Sequence, residues 1–134
     1  MLDNFTQLFV HLVWGTWDRL PLLTEKLREQ VYYCLILECE KLGAKVIALN
    51  GMPDHVHLLV QIPTGLSVGA LVKQIKGSSS HLAAHQLQEG FKWQGGYGAF
   101  TVSKSDVARI KDYVLNQERH HAEQWLEEDL ELSK

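Results

Sequence analysis

Residues 54–62, Asp-His-Val-His-Leu-Leu-Val-Gln-Ile, constrain the fold of this chain more than any other segment. An apolar run begins directly at two histidines, Pro53 stands just before it, and Pro63-Thr64-Gly65 breaks it at the far end. That pattern reads as a β-strand over about 54–62. Successive side chains of a strand point to opposite faces, so His55 and His57 share one face, about 6 to 7 Å apart. Two neutral imidazoles on one face can share a metal ion and leave its other positions open. Alone, such a pair more often merely bridges polar groups at a sheet surface. A site needs a nucleophile and a third ligand from elsewhere in the chain.

The flanking segments give the strand its context. Residues 5–17 are aromatic and β-branched with partial alternation, a first strand. Pro21 and Thr24 open a helix, with Thr24 as N-cap. Leu27, Val31, Cys34 and Leu35 continue it at helical spacing, and Gly43 is placed to stop it. Residues 44–49 form a short strand, and Asn50-Gly51 supplies a hairpin turn into the histidine strand. Ser67 caps a second helix whose Val68, Leu71, Val72 and Ile75 fall on one face, with a kink or interruption expected at Gly77-Ser78-Ser79-Ser80. The glycine-punctuated stretch 93–102 is a loop entering a fourth strand. Ser103 or Ser105 then caps a last helix running to about residue 122. The order β-α-β-β-α-β with an added C-terminal helix predicts an α+β, ferredoxin-like (RRM-like) fold. Its four-stranded antiparallel sheet carries both long helices on one face and the histidine strand at its centre. With no linker or internal repeat, residues 1–134 are expected to form one domain.

Composition excludes several classes. No apolar stretch approaches the roughly 20 residues that span a bilayer. Met1-Leu2-Asp3-Asn4 lacks the basic and apolar regions of a signal peptide, so a cytoplasmic location is the expectation. Cys34 and Cys39, five apart in a helical pattern, suit reduced thiols rather than a disulfide framework or a zinc site. The net charge of −3 argues against a generally basic nucleic-acid binder. However, residues 123–134 hold five acids and one base, an acidic tail, so residues 1–122 carry 12 bases against 11 acids. A DNA-binding surface has to come from local clustering.

In the last helix Val107, Ile110, Val114 and His121 follow a core-like spacing, while Tyr113 and Gln117, four apart, share a face. By spacing alone they read as a packing tyrosine and a solvated neighbour. Taken together, four motifs say more. They are Gly51-Met52-Pro53-Asp54-His55-Val56-His57-Leu58-Leu59, Lys76-Gly77-Ser78-Ser79-Ser80, Trp93-Gln94-Gly95-Gly96-Tyr97, and Tyr113-Val114-Leu115-Asn116-Gln117 with Glu118-Arg119-His120-His121. In this order the chain resembles the single-tyrosine HUH transposases, the TnpA-type enzymes of insertion sequences that move as single-stranded DNA. The resemblance runs from about Phe9 to His121.

The resemblance implies that His55 and His57 are metal ligands, Gln117 the helix-borne third ligand, and Tyr113 the nucleophile, with Mg²⁺ or Mn²⁺ as the metal. It further implies single-stranded DNA with hairpin ends as substrate, and a homodimer in which the tyrosine helix packs on the partner's histidine strand. The chemistry is consistent with those groups. Tyrosine, with a pKa near 10, is a poor nucleophile at neutral pH, and a divalent cation offsets this by neutralising phosphate charge and positioning the phosphate. A covalent 5′-phosphotyrosine keeps the bond energy until another 3′-hydroxyl attacks.

Lys73, Lys76 and Lys92 are the candidates for phosphate contact. Ordinary readings suffice elsewhere: His11 in strand packing, His81 and His85 as helix-surface neighbours, His120 and His121 solvated, and Trp14, Trp17, Trp93 and Tyr97 as core rather than base-stacking residues. Asp54, as strand neighbour of His55, is expected on the opposite face. Three rivals to the transposase reading stay open: a domesticated relative processing repeated palindromes, a non-catalytic nucleic-acid-binding module of the same fold, and a metallohydrolase using water.

Overall fold

A computed structural model describes residues 4–87 and 90–122. Four strands, β1 (Phe9–Gly15), β2 (Lys45–Met52), β3 (His55–Gln61) and β4 (Gly98–Val102), form one antiparallel sheet in the order β2-β3-β1-β4. The helices are α1 (Glu25–Lys41), α2 (Val68–Leu82), α3 (Val107–Leu115) and α4 (Gln117–Ala122). This is the expected α+β arrangement with the histidine strand inside the sheet.

Both faces of the sheet are covered, and strand alternation decides what goes where. Val10, Leu12 and Trp14 of β1 with Val56, Leu58 and Val60 of β3 face one way. There they meet Leu27, Val31, Leu35 and Cys39 of α1 and Leu71, Val72 and Ile75 of α2. On the other face Phe9, Ala48, Leu59 and Val102 meet Ile110, Tyr113 and Val114 of α3. The odd-numbered positions of β3, His55 and His57 included, therefore look toward the face that α3 covers.

Local chemistry explains most boundaries. Thr24 accepts a hydrogen bond from the Leu27 N–H, and Ser67 accepts one from Ala70 N–H at 3.0 Å, so both caps are as expected. Gly43, at φ 79°, ends α1 in the left-handed region, and Ala44 N–H returns to Cys39 O at 2.9 Å.

Four expectations fail. Asn50-Gly51 is not the turn: both residues lie in β2, and Pro53-Asp54 turn the chain. A Cβ on residue 51 would meet the His55 carbonyl oxygen and lie 2.8 Å from Val56 Cα, so glycine is there for a close strand crossing. The Gly77–Ser80 stretch does not interrupt α2, because the Ser79 hydroxyl turns inward. It donates to Ile75 O at 2.7 Å and accepts from Trp93 Nε1 at 2.9 Å. The last helix is not continuous. A 3₁₀ turn at Lys104–Asp106 precedes α3, and Asn116 separates α3 from α4, its Nδ2 donating to Asp112 O at 2.8 Å and Asp112 Oδ1 at 3.0 Å. Ser103 uses its hydroxyl on Ser105 Oγ and Asp106 Oδ2 rather than on a helix N–H. The acidic tail, 123–134, lies outside the described residues.

Candidate functional site

Strand β3 is paired on both sides, so the histidines it carries have a rigid base. His55 is 2% and His57 0% exposed, with ring centroids 5.1 Å apart at 73°. Helix α3 buries Ile110, Tyr113 and Val114 against the same face. That brings the Tyr113 ring to 5.9 Å from the His57 ring, nearly edge-on at 77°. Tyr113 is 2% exposed. Gln117, in the first position of α4, is fully buried rather than solvated, and its Nε2 donates to Tyr113 O at 3.2 Å. The two imidazoles, the phenol and the amide thus occupy one side of the sheet.

Two flanking contacts escaped the sequence reading. His11 of β1 is buried, and its Nε2 lies 2.9 Å from His57 Nδ1, the rings stacked at 5.1 Å and 21°. Only the register of β1 on β3 shows this: His11 faces Leu59 and Val13 faces His57, so His11 and His57 are diagonal neighbours on one face. The second is Asp54, whose Oδ1 lies 2.7 Å from His55 Nδ1. The expectation of opposite faces fails because Asp54 sits in the turn, where strand alternation does not apply. Arg19 Nη2 reaches Asp54 Oδ2 at 3.2 Å and lies 3.3 Å from His55 Nδ1. The hydrogen bond from His55, and secondarily the Arg19 guanidinium, hold the Asp54 carboxyl below its usual range against the opposing effect of burial.

The remaining candidates are more scattered. Lys76 Nζ donates to Gln94 O and Gly96 O, both at 2.8 Å, so it ties α2 to the glycine-rich loop, and burial lowers its pKa. Lys92 Nζ lies 4.1 Å over the Trp17 ring. Lys73 is exposed on α2, beside a groove shared with α1. Trp14 and Trp93 are core and pack edge-on at 5.7 Å, whereas Trp17 and Tyr97 are 46% and 42% exposed, contrary to a uniform core role. His81 and His85 lie on the surface with ring centroids 4.5 Å apart and planes tilted by 39°. Among the described residues no three His, Cys, Asp or Glu side chains are grouped to hold a metal. His120 and His121 lie in α4, and their side chains are outside the described residues. No helix among the described residues is long and apolar enough to cross a membrane.

Comparison with known proteins places this chain in a family. Residues 4–117 match the model of the IS200-like transposases. The chain is 32% identical over 118 residues to the ISDra2 transposase TnpA of Deinococcus radiodurans, covering 83% of this chain and 84% of that protein. It is 33% identical over 86 residues to the transposase for insertion sequence element IS200 of Salmonella typhimurium, spanning 59% of this chain and 56% of that one. Among solved structures, a protein described as a candidate transposase from Deinococcus radiodurans superposes with a TM-score of 0.68 at 29% identity, covering 87% of this chain and 95% of the other. A REP-associated tyrosine transposase, solved bound to a REP hairpin, shares the fold with a TM-score of 0.69 at 14% identity, over 94% of this chain and 74% of its own. The family model spans most of the chain and the first of these relatives is matched along most of its length: the chain belongs to the IS200-like transposase family.

Proposed function

We propose that this transposase cleaves and rejoins single-stranded DNA through Tyr113, at a divalent-cation site formed by His55, His57 and Gln117. One observation carries the reading: residues far apart in the chain converge on one buried face, with the Tyr113 ring 5.9 Å from that of His57. The substrate would be single-stranded DNA with hairpin ends, a reading supported by the relative bound to a REP hairpin.

The donor set fits Mg²⁺ or Mn²⁺. Each imidazole has its Nδ1 engaged, His55 with Asp54 and His57 with His11, so Nε2 would be the ligand atom in both. The Gln117 amide nitrogen is engaged with Tyr113 O, which makes the amide oxygen its ligand atom. Two imidazoles and one neutral oxygen would hold a divalent ion with modest affinity, open to phosphate oxygens and water. When bound, the cation neutralises phosphate charge and stabilises the leaving oxygen.

Helix α3 holds the nucleophile. The Tyr113 Oη attacks the phosphorus, the bond to the 3′-oxygen breaks, and the 3′-hydroxyl departs with the proton balance met from solvent. A second 3′-hydroxyl then attacks the 5′-phosphotyrosine and frees the phenol. Tyr113 is 2% exposed, so DNA reaches it only when the packing over the ring opens. Here α3 covers the sheet of its own chain. A homodimer with composite sites would exchange that helix.

The test uses single-stranded DNA carrying the flanks of this chain's own gene, labelled and incubated with protein and Mn²⁺. A DNA–protein band on a denaturing gel, lost in Tyr113→Phe and with chelator, supports the proposal. Cleavage without an adduct would establish a water-using hydrolase instead, and a mobility shift without cutting a binding module.

A further inference from the structure

We infer that His11 and Asp54, the latter braced by Arg19, are positioning residues that fix both candidate metal-ligand histidines in the tautomer with the proton on Nδ1. The inference rests on the metal-site reading above.

For His55 the hydrogen-bond lengths decide the matter. Asp54 is an ion-paired carboxylate and can only accept, so the 2.7 Å contact requires a proton on His55 Nδ1. The 3.3 Å approach of Arg19 Nη2 to that nitrogen is then no hydrogen bond, and the guanidinium bonds Asp54 Oδ2 instead. For His57 a single proton lies between two ring nitrogens 2.9 Å apart. If His11 donated it, the His57 proton would sit on Nε2 and block coordination. A ligand His57 therefore donates from Nδ1, and His11 accepts with its own proton on Nδ1.

The chain goes to some length to seat Arg19. Asp18 and Arg19 both have φ of 53°, a left-handed conformation that costs non-glycine residues energy. Asp18 N–H donates to Gln94 Oε1 at 3.0 Å, and Arg19 N–H to Thr16 O at 3.0 Å. Thr16 N–H in turn donates to Asp54 O at 2.9 Å, which locks this bend onto the β2–β3 turn. Gly15 leaves room for the arginine: a Cβ there would lie 2.9 Å from Arg19 Cδ. Strain, a glycine and three hydrogen bonds converge on placing one guanidinium beside Asp54.

Two measurements on the full chain test this. In ¹⁵N-histidine-labelled wild-type protein at neutral pH, long-range ¹H–¹⁵N spectra should show His55 and His57 protonated on Nδ1. Finding the His57 proton on Nε2 would overturn the inference without relying on any variant. In Mn²⁺ titrations read by loss of the free-ion EPR signal, His11→Phe and Asp54→Ala should each bind about 10- to 100-fold more weakly. His11→Gln and Asp54→Asn, which keep an acceptor, should recover most of that loss. Folded His11→Phe and Asp54→Ala proteins that match wild-type affinity would overturn the positioning role alone. Wild-type protein that takes up no Mn²⁺ would overturn the metal site itself, and this inference with it.

Discussion

Replacing Gly51 by alanine sets a methyl group against the backbone of the histidine strand. The new Cβ would meet the His55 carbonyl oxygen, lie 2.8 Å from Val56 Cα and 3.1 Å from the His55 carbonyl carbon. All three are main-chain atoms of β3, which is hydrogen-bonded to β1 as well as to β2, so they cannot swing aside. Overpacking a rigid site costs about 1–3 kcal/mol, with the upper end expected where backbone must move. Loss of glycine's freedom in the unfolded chain returns about 0.4–1 kcal/mol. The net expectation is roughly 2 kcal/mol of destabilisation. With a urea slope of about 1–3 kcal/mol per molar for a small protein, the midpoint should fall by about 0.7–2 M. Gly15→Ala is the control. Its nearest neighbour is the Arg19 side chain at 2.9 Å, followed by Asp54 O at 3.4 Å, and a flexible side chain can move. That variant should lose less than about 1 kcal/mol. Equilibrium unfolding by circular dichroism measures both. A Gly51→Ala midpoint within about 0.3 M of wild type would refute the close-crossing argument.

Three further outcomes follow from the packing and the caps. Ser67→Ala removes the acceptor for Ala70 N–H and should cost about 1 kcal/mol in the same unfolding assay. Leu58→Ala, in the fully buried core between β3 and the two long helices, should cost about 2–5 kcal/mol. Burial pushes the Cys39 thiol up to about 12, and burial with Glu38 raises Cys34 as well. At pH 8 the reactive thiolate of Cys39 is then roughly one part in ten thousand. Native protein should therefore show Cys39 inert to a disulfide-exchange reagent and Cys34 slow, both reacting at once in denaturant. Rapid labelling of Cys39 in folded protein would contradict its placement.

What was legible in the sequence was local or periodic. Thr24, Ser67 and Gly43 announce helix ends because each acts on backbone groups within a few residues. Alternation put His55 and His57 on one face, and the element order gave the sheet. What was not legible depends on partners far along the chain. Asn50-Gly51 looks the same in a hairpin turn and at a close strand crossing, and Pro53-Asp54 decide between them. The helix through Ser79 holds because Trp93 supplies a donor from a distant loop. Periodicity does not show the break at Asn116, since it comes from one side chain bonding back to Asp112. His11 and Asp54 join the site only through strand register and turn geometry. Spacing alone made Tyr113 and Gln117 ordinary helix residues, and only the resemblance of four ordered motifs singled them out.

The central claim is that Tyr113 becomes covalently joined to DNA. Its most direct measurement is peptide mapping of protein reacted with Mn²⁺ and single-stranded DNA from its own gene's flanks, after nuclease trimming and trypsin. The expected result is a nucleotide 5′-phosphate on Tyr113, within the tryptic peptide that follows Lys111 and ends at Arg119. Cleaved DNA with that peptide unmodified, or a nucleotide carried by any other residue, would contradict it.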